Sequence, residues 1–554
     1  MMRRSTKRFL FFILILTVFP VFFLFFKHVP DHNLRACRDF FEYIPEKAGK
    51  KQLLAVICLG NPADIYDRIQ NTGFHGALVK SPLWKHEKTE KLQKLSLPDA
   101  KPGVTSTILK ILNNNMLIAV YGSEYDKLEY ALITKVKGVP GVKALAGSVM
   151  EWENTVQETY RDIHINSLAE NLCFSLSGNL IVVTSSIELH KAVIDMKTGY
   201  EDAGDINSGY PEAAGKIDVS ADCFIFLSNR ELHAVLSGVL REFTGIHVDF
   251  RDPGSQKTCH NILFDRGLVI RSLLRDSTAR KPEEDSAAPV SVGFLPGHIL
   301  MAGISTRYEP EELSDSLERS AYGILGYLDI DVKKDVIPDL SGGEAGYAIL
   351  GPSRDIVGSA LPGLIIFGQV KNRESIDRLT GVFKDSLNSD VKEMEYSGTK
   401  YLVAEIDLFM GQKAEICLLS MQLKKKQFVV VATSGKIVRD VIDHASGKKE
   451  GFIRSPEWRE ISRFLPDEFS VFSYADVNAL SGTVGLFIAA ISGNSRLEAF
   501  LKTAPFSWIG PAGSASIFSD EEIEIYSYFP VQDLNQDSWT VILESLEGLI
   551  KKNE

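Results

Sequence analysis

Between residues 50 and 531 apolar residues alternate with polar ones or gather in short runs, and each such stretch predicts a β-strand. Leu180-Ile181-Val182-Val183-Thr184 and Phe428-Val429-Val430-Val431-Ala432 are two of them. Each leads, through a serine, into a helix: one begins at Ile187, the other at Gly435. Ser177-Gly178-Asn179 and Leu423-Lys424-Lys425-Lys426 are hairpin signals between neighbouring strands, so the sheet is expected to be antiparallel. Ser455-Pro456-Glu457-Trp458 predicts a helix start, with Ser as N-cap and Pro in the first turn. Residues 9–26 differ in kind, because only Thr17 and Pro20 of these eighteen residues are not strongly apolar, and eight are Phe. As a helix this run spans roughly 27 Å, the thickness of a bilayer's hydrocarbon core.

The pattern repeats. The strand, helix and closing glycine of residues 180–199 recur at residues 428–447, an offset of 248. Upstream, Ala131-Leu132-Ile133-Thr134-Lys135-Val136 matches Ile365-Ile366-Phe367-Gly368-Gln369-Val370 at an offset of 234. Ile118 to Gly122 matches Tyr347 to Gly351, Cys173 stands opposite Cys417, and Cys223 to Ser228 parallels Ser470 to Ala475. Changes of offset mark loop insertions, which surface connections tolerate. Each half reads as strand, helix, two strands, helix, three strands, helix, strand, helix and two closing strands. The expected fold class is α+β: two tandem homologous modules of antiparallel sheet with amphipathic helices on one face, after one N-terminal transmembrane helix.

The expected boundaries are a cytoplasmic tail at 1–8, a signal anchor at 9–26 and a juxtamembrane segment at 27–49. The first repeat then covers 50–275, a linker 276–290, the second repeat 291–531 and a C-terminal helix 532–554. The linker loses all apolar periodicity. A second low-pattern insert, residues 201–216, interrupts the first half. In the tail Trp539, Ile542, Leu543, Leu546, Leu549 and Ile550 recur at helical spacing, as in a docked terminal helix, with a membrane-surface or partner-binding helix as the alternative.

Charge bears on the compartment. The chain carries 61 Lys and Arg against 72 Asp and Glu, a net charge of −11, yet the only charges in residues 1–30 are the cations Arg3, Arg4, Lys7, Arg8 and Lys27. Cations ahead of an apolar run keep that end in the cytoplasm. The body is therefore expected in the periplasm or extracytoplasmic space, held by a single-pass anchor in the inner membrane. A small-x-small cleavage site is missing after Phe26, which favours an uncleaved anchor over a removed signal. Leu34-Arg35-Ala36-Cys37 resembles a lipoprotein box, but Arg35 and its distance from the run fit poorly. An acidic body argues against nucleic acid as a partner.

Leu340-Ser341-Gly342-Gly343-Glu344 before an alternating strand, the Val429 to Ser434 strand entering a helix, and the segment from Ser455 to Glu468 together resemble an uncharacterised bacterial membrane-anchored envelope-protein family, a domain of unknown function. The likeness is best over residues 295–478 and weaker in the first half, where Asn113-Asn114-Asn115 replaces Gly-Gly-Glu. The resemblance implies an N-terminal membrane segment and a large extracytoplasmic part, and it implies no site residue.

Candidate chemistry is sparse. No G-x-S-x-G, P-loop or dinucleotide fingerprint occurs, and His86-Glu87-Lys88-Thr89-Glu90 has Glu where a zinc-protease helix needs its second His. His247, Asp249 and Arg251 would share one strand face, most simply as self-paired surface charges, with a metal or anion site as the alternative. Cys259-His260 lacks further ligands. The six cysteines show no metal spacing, and Cys223 with Cys259 is the best candidate for a pair, against unpaired buried thiols. Gly342-Gly343 suits a tight turn, and Lys424-Lys425-Lys426 a cationic hairpin tip, with attraction to anionic lipid headgroups as the alternative. No catalytic, cofactor-binding or metal residue and no cofactor is expected. The expected function is a non-enzymatic binding or scaffold protein of the bacterial envelope, partnered by the membrane and by an envelope protein or lipid. A carrier or sensor of an apolar ligand between the repeats, suggested by residues 484–491, and a divergent hydrolase are the alternatives.

Overall fold

The computed structural model describes residues 34–45, 47–48, 51–60, 112–122, 128–136, 155–168, 172–198, 210–228, 257–264, 267–275, 289–306, 332–351, 363–387, 390–407, 413–480, 510–519, 522–530 and 540. The apolar run at 9–26, the His86 and His247 segments, residues 484–491 and nearly all of the C-terminal helix lie outside them. Among the described residues no helix is long and apolar enough to cross a membrane. The chain forms two compact units: Met1–Ala279 with Glu521–Glu524 and Val531–Glu554, and Arg280–Asp520 with Ile525–Pro530. The fold is mostly antiparallel sheet with a few helices.

The first unit opens with helix α1 (Arg35–Phe40) and strands β1 (Lys47–Ala48), β2 (Lys51–Gly60), β3 (Leu112–Gly122) and β4 (Glu129–Val136). Strands β5 (Thr155–Tyr160), β6 (Ile163–Leu168), β7 (Leu172–Ser177) and β8 (Leu180–Thr184) follow, then helices α2 (Ile187–Thr198) and α3 (Tyr210–Gly215). Strands β9 (Cys223–Ser228), β10 (Lys257–Phe264) and β11 (Gly267–Arg275) close it. Every pairing is antiparallel, in the order β11-β10-β9-β2-β3-β4-β8-β7-β6-β5, with β1 added at the start of β2. Period-two alternation turns Val56, Cys58, Leu117, Ala119, Ile133 and Val182 to one face, where α1 brings Cys37 and Phe40, and α2 brings Leu189 and Val193. The low-pattern insert is not all loop, because α3 and Ile217 join this core through Ala213 and Ile217.

The second unit contains β12 (Ile299–Ser305), β13 (Leu340–Leu350), β14 (Gly363–Val370) and α4 (Arg373–Ser386). Then come β15 (Lys392–Tyr396), β16 (Thr399–Asp407), β17 (Lys413–Leu423), β18 (Lys426–Ala432), α5 (Gly435–Ala445) and α6 (Pro456–Ile461). Last are β19 (Val471–Asp476), β20 (Pro511–Phe518) and β21 (Glu522–Pro530), of which Ile525–Pro530 belongs to this unit. Strands β12 to β20 again pair antiparallel, in the order β20-β19-β12-β13-β14-β18-β17-β16-β15. Beyond β20, β21 joins through the Gly510 N–H to the Pro530 carbonyl at 2.9 Å and a Ser514–Ser527 hydroxyl bond at 2.9 Å. Partner for partner, this is the strand order of the first unit.

Three expectations need correction. Four strands, not three, lie between α4 and α5, because β15 reads Lys-Glu-Met-Glu-Tyr and its first four residues are exposed, leaving no apolar signal. Helices also cover both faces of the second unit's sheet. Leu379 and Phe383 of α4 pack on the side of Leu402, Leu418 and Val429, whereas Phe428, the next residue of the same strand, meets Phe294 on the other. Third, Gly342-Gly343 forms no turn ahead of the strand. The pairing steps from Leu340–Val370 to Ala345–Gly368, so Ser341 to Glu344 bulge against Gln369 alone, and Gly342 takes φ +72°. In the first unit Asn113 to Asn115 bulge in the same way against Lys135.

Candidate ligand groove

The bulge in β13 turns Glu344 inward. Only 1% exposed, its carboxylate accepts the Ser291 N–H at 2.8 Å and the Lys426 ammonium at 2.8 Å. These bonds fasten the 3-10 turn Val290–Phe294 and the start of β18 to the sheet. Next to Lys426 the β17–β18 hairpin closes through a two-residue turn, since Leu423 pairs with Lys426. Both turn residues are left-handed, Lys424 at φ 45° and Lys425 at φ 70°.

Across from that tip, α5 ends where Gly447 adopts φ +73° and the Ser446 and Lys448 N–H groups bond the Ile442 and Asp443 carbonyls at 3.0 and 2.8 Å. The chain then crosses the 3-10 turn at Gly451, where a Cβ would come within 3.0 Å of the Leu295 carbonyl. Buried Phe452 meets Trp458 at 5.4 Å and Tyr474 at 4.7 Å. Ser455 caps α6 by accepting the Trp458 N–H at 3.1 Å, as the sequence predicts.

These elements enclose a groove of about 560 Å³ within the second unit. Val290, Val292, Leu423, Trp458, Leu465 and Phe469 make its walls mostly apolar, and Ile453 at its margin is 41% exposed. Its polar lining includes Lys424, Ser462 and Asp467. The volume lies inside the range of about 300–1,000 Å³ typical of small-molecule sites. A second hollow of about 100 Å³, beside the Glu393–Lys400 ion pair, is too small for more than a few solvent molecules.

Sequence patterns did not mark two other features. In the first unit His190 is wholly buried on α2, with Nδ1 2.9 Å from the Thr184 hydroxyl and Nε2 2.8 Å from that of Ser175. Burial lowers its pKa to about 4, so the ring is neutral at pH 7. The corresponding positions of the second unit hold Val438, Ala432 and Leu419, all buried. His260, between Ser272 at 2.8 Å and Thr258 at 3.1 Å, is likewise lowered to about 4 by burial. The second feature is shared: Tyr160 donates to Asp195 at 2.9 Å, and Tyr396 to Asp443 at 3.2 Å. Each tyrosine immediately precedes a hairpin turn, Arg161-Asp162 or Ser397-Gly398. The signal was present, because the aspartates match at the offset of 248, but the tyrosines lie on strands too polar to align.

Cys223 and Cys259 occupy neighbouring strands out of register, Cys223 opposite Ile262 and Cys259 opposite Phe226, and both are free thiols. Burial raises the Cys58 pKa well above the usual range, and the neighbouring Cys37 thiol adds to the shift. Among the described residues no cluster of three or more His, Cys, Asp or Glu is placed to hold a metal ion.

No known protein family matches the chain, and neither does any curated protein. Among solved structures, crystal form III of TP0453 is similar at 8% identity and a TM-score of 0.23, over 44% of this chain and 81% of that one. Crystal form I of TP0453 is similar at 8% identity and a TM-score of 0.24, over 44% of this chain and 80% of that one.

Proposed function

We propose that this chain is a membrane-anchored extracytoplasmic binding protein of the bacterial envelope, without enzymatic activity, built from two homologous modules. Duplication of one ancestral module is supported by the common strand order, the bulge at the same place in β3 and β13, and the Tyr–Asp bond beside the same hairpin. The anchor is supported by the apolar run at 9–26 and the cations ahead of it.

The observation that carries the binding role is the apolar groove beside α6, with Ile453 at its margin. Its ligand is apolar over most of its length, since the walls offer few hydrogen-bonding groups. The test uses the full chain reconstituted in phosphatidylcholine vesicles and a diazirine-bearing alkyl probe. Photolabelling should concentrate on peptides covering residues 289–293 and 452–469, and Ile453→Glu should reduce it. Labelling spread evenly over the protein, or confined elsewhere, overturns the reading.

A further inference from the structure

Four tight hairpins with two-residue turns are described, and three of the turns have a local explanation. Gly178-Asn179 uses a glycine at φ +65°, which has no side chain to strain. The Arg161-Asp162 turn is left-handed at both residues, φ 51° and 61°, and Arg161 pairs with Asp195 at 3.3 Å. Ser397, at φ 52° and followed by Gly398, accepts a bond from Lys448 at 2.9 Å. The fourth turn has Lys424 and Lys425 in succession, both left-handed and both exposed, and among the described residues neither ammonium has a hydrogen-bond or ion-pair partner.

A left-handed non-glycine residue is strained, and such strain concentrates where function requires it. Asn-Gly would relax this turn. The hairpin makes no use of the two ammonium groups, and Lys424 lines the apolar groove. The next residue, Lys426, is already neutralised by Glu344 at 2.8 Å, and the one carboxylate among the groove's lining residues is Asp467. The tip thus places two cations, Lys424 in the lining and Lys425 next to it in the chain, beside an apolar groove whose volume suits one alkyl chain.

We infer that the groove binds a single-chain anionic amphiphile, a long-chain fatty-acid carboxylate, whose head lies on Lys424 and Lys425 while its chain runs past Leu423 and Trp458. This rests on the binding role proposed above and adds the chemistry of the head. An ammonium beside an apolar wall is less screened than one in open water, which strengthens the pairing.

The experiment displaces the alkyl photoprobe from the reconstituted full chain with oleate or with oleyl alcohol, which share a chain and differ in charge. Oleate should displace the probe from wild-type groove peptides at about fivefold lower concentration than the alcohol. In Lys424→Asn with Lys425→Gly this preference should vanish while the melting temperature rises, because the turn relaxes. Lys424→Gln with Lys425→Gln removes charge without changing the turn type and should also abolish the preference. Equal displacement by the two ligands in wild-type protein overturns the carboxylate assignment and leaves the groove intact as a binding place. A preference that survives both double variants overturns the role of the lysines. Failure of the probe to label the groove at all removes the binding role itself.

Discussion

His190 and Val438 occupy equivalent places in the two units, and the exchange makes the first unit sensitive to acid. The imidazole's folded pKa of about 4 lies below its unfolded value of 6.5, so the unfolded chain takes up a proton that the folded one refuses between those values. Stability contributed by the neutral ring is fully present above pH 6.5 and is lost as pH falls toward 4, by about 3 kcal/mol in all. Urea unfolding at pH 7 and pH 4.5 measures it, and because His260 in the same unit is lowered to about 4 as well, His190→Val should remove about half of the dependence of the first unit's transition. A dependence unchanged by that substitution removes His190 as its source. At this scale the sequence was least legible. Nothing in the spacing of Ser175, Thr184 and His190 reveals that a helix and two strands gather them. Glu344 was legible only as part of a motif: its neighbouring glycines suggested a turn, whereas the strand continues and bulges, aiming the carboxylate inward.

Helices and hairpins were more legible, because their ends depend on residues adjacent in sequence. Ser186, Ser434 and Ser455 each accept an N–H three residues on, at 3.2, 3.2 and 3.1 Å. The Ser-Pro-x-Trp signal places the start of α6 from local chemistry alone. Ser455→Ala should lower stability by about 1 kcal/mol in chemical denaturation, and should loosen the groove wall that Trp458 provides. A smaller loss than for an exposed surface serine would show that the cap contributes nothing. The β7–β8 and β17–β18 turns fell where Gly178-Asn179 and Lys424-Lys425 put them. Strands β5 and β15 were illegible for a physical reason. Each has a single strand neighbour among the described residues, and most of its side chains face water, so no apolar alternation is required of it.

For the whole molecule, the order of the matched segments along the chain anticipated the recurrence of one strand order, which no single motif carried. All six cysteines are free and buried, and burial pushes the Cys417 thiol up to about 12. Ellman's reagent should therefore find essentially none of the six thiols in native protein prepared under reducing conditions and all of them in guanidinium. Rapid reaction of one in the native state would mean that its surroundings open. A phosphatase fused after residue 554 should be active outside the cytoplasm if the anchor orients as proposed, and a fluorescent protein that matures in the cytosol at that place would refute the orientation.

The polar character of β15 has a consequence for neighbouring copies. On one side β15 pairs with β16, on the other it meets no strand among the described residues, and an open strand edge is a template for stacking copy upon copy. Glu393 and Glu395, with Lys392 beside them, give that template alternating charge that an incoming identical strand would have to accommodate in a desolvated contact. Replacing both glutamates by threonine should leave the monomer folded and turn crowded protein toward thioflavin-positive fibrils.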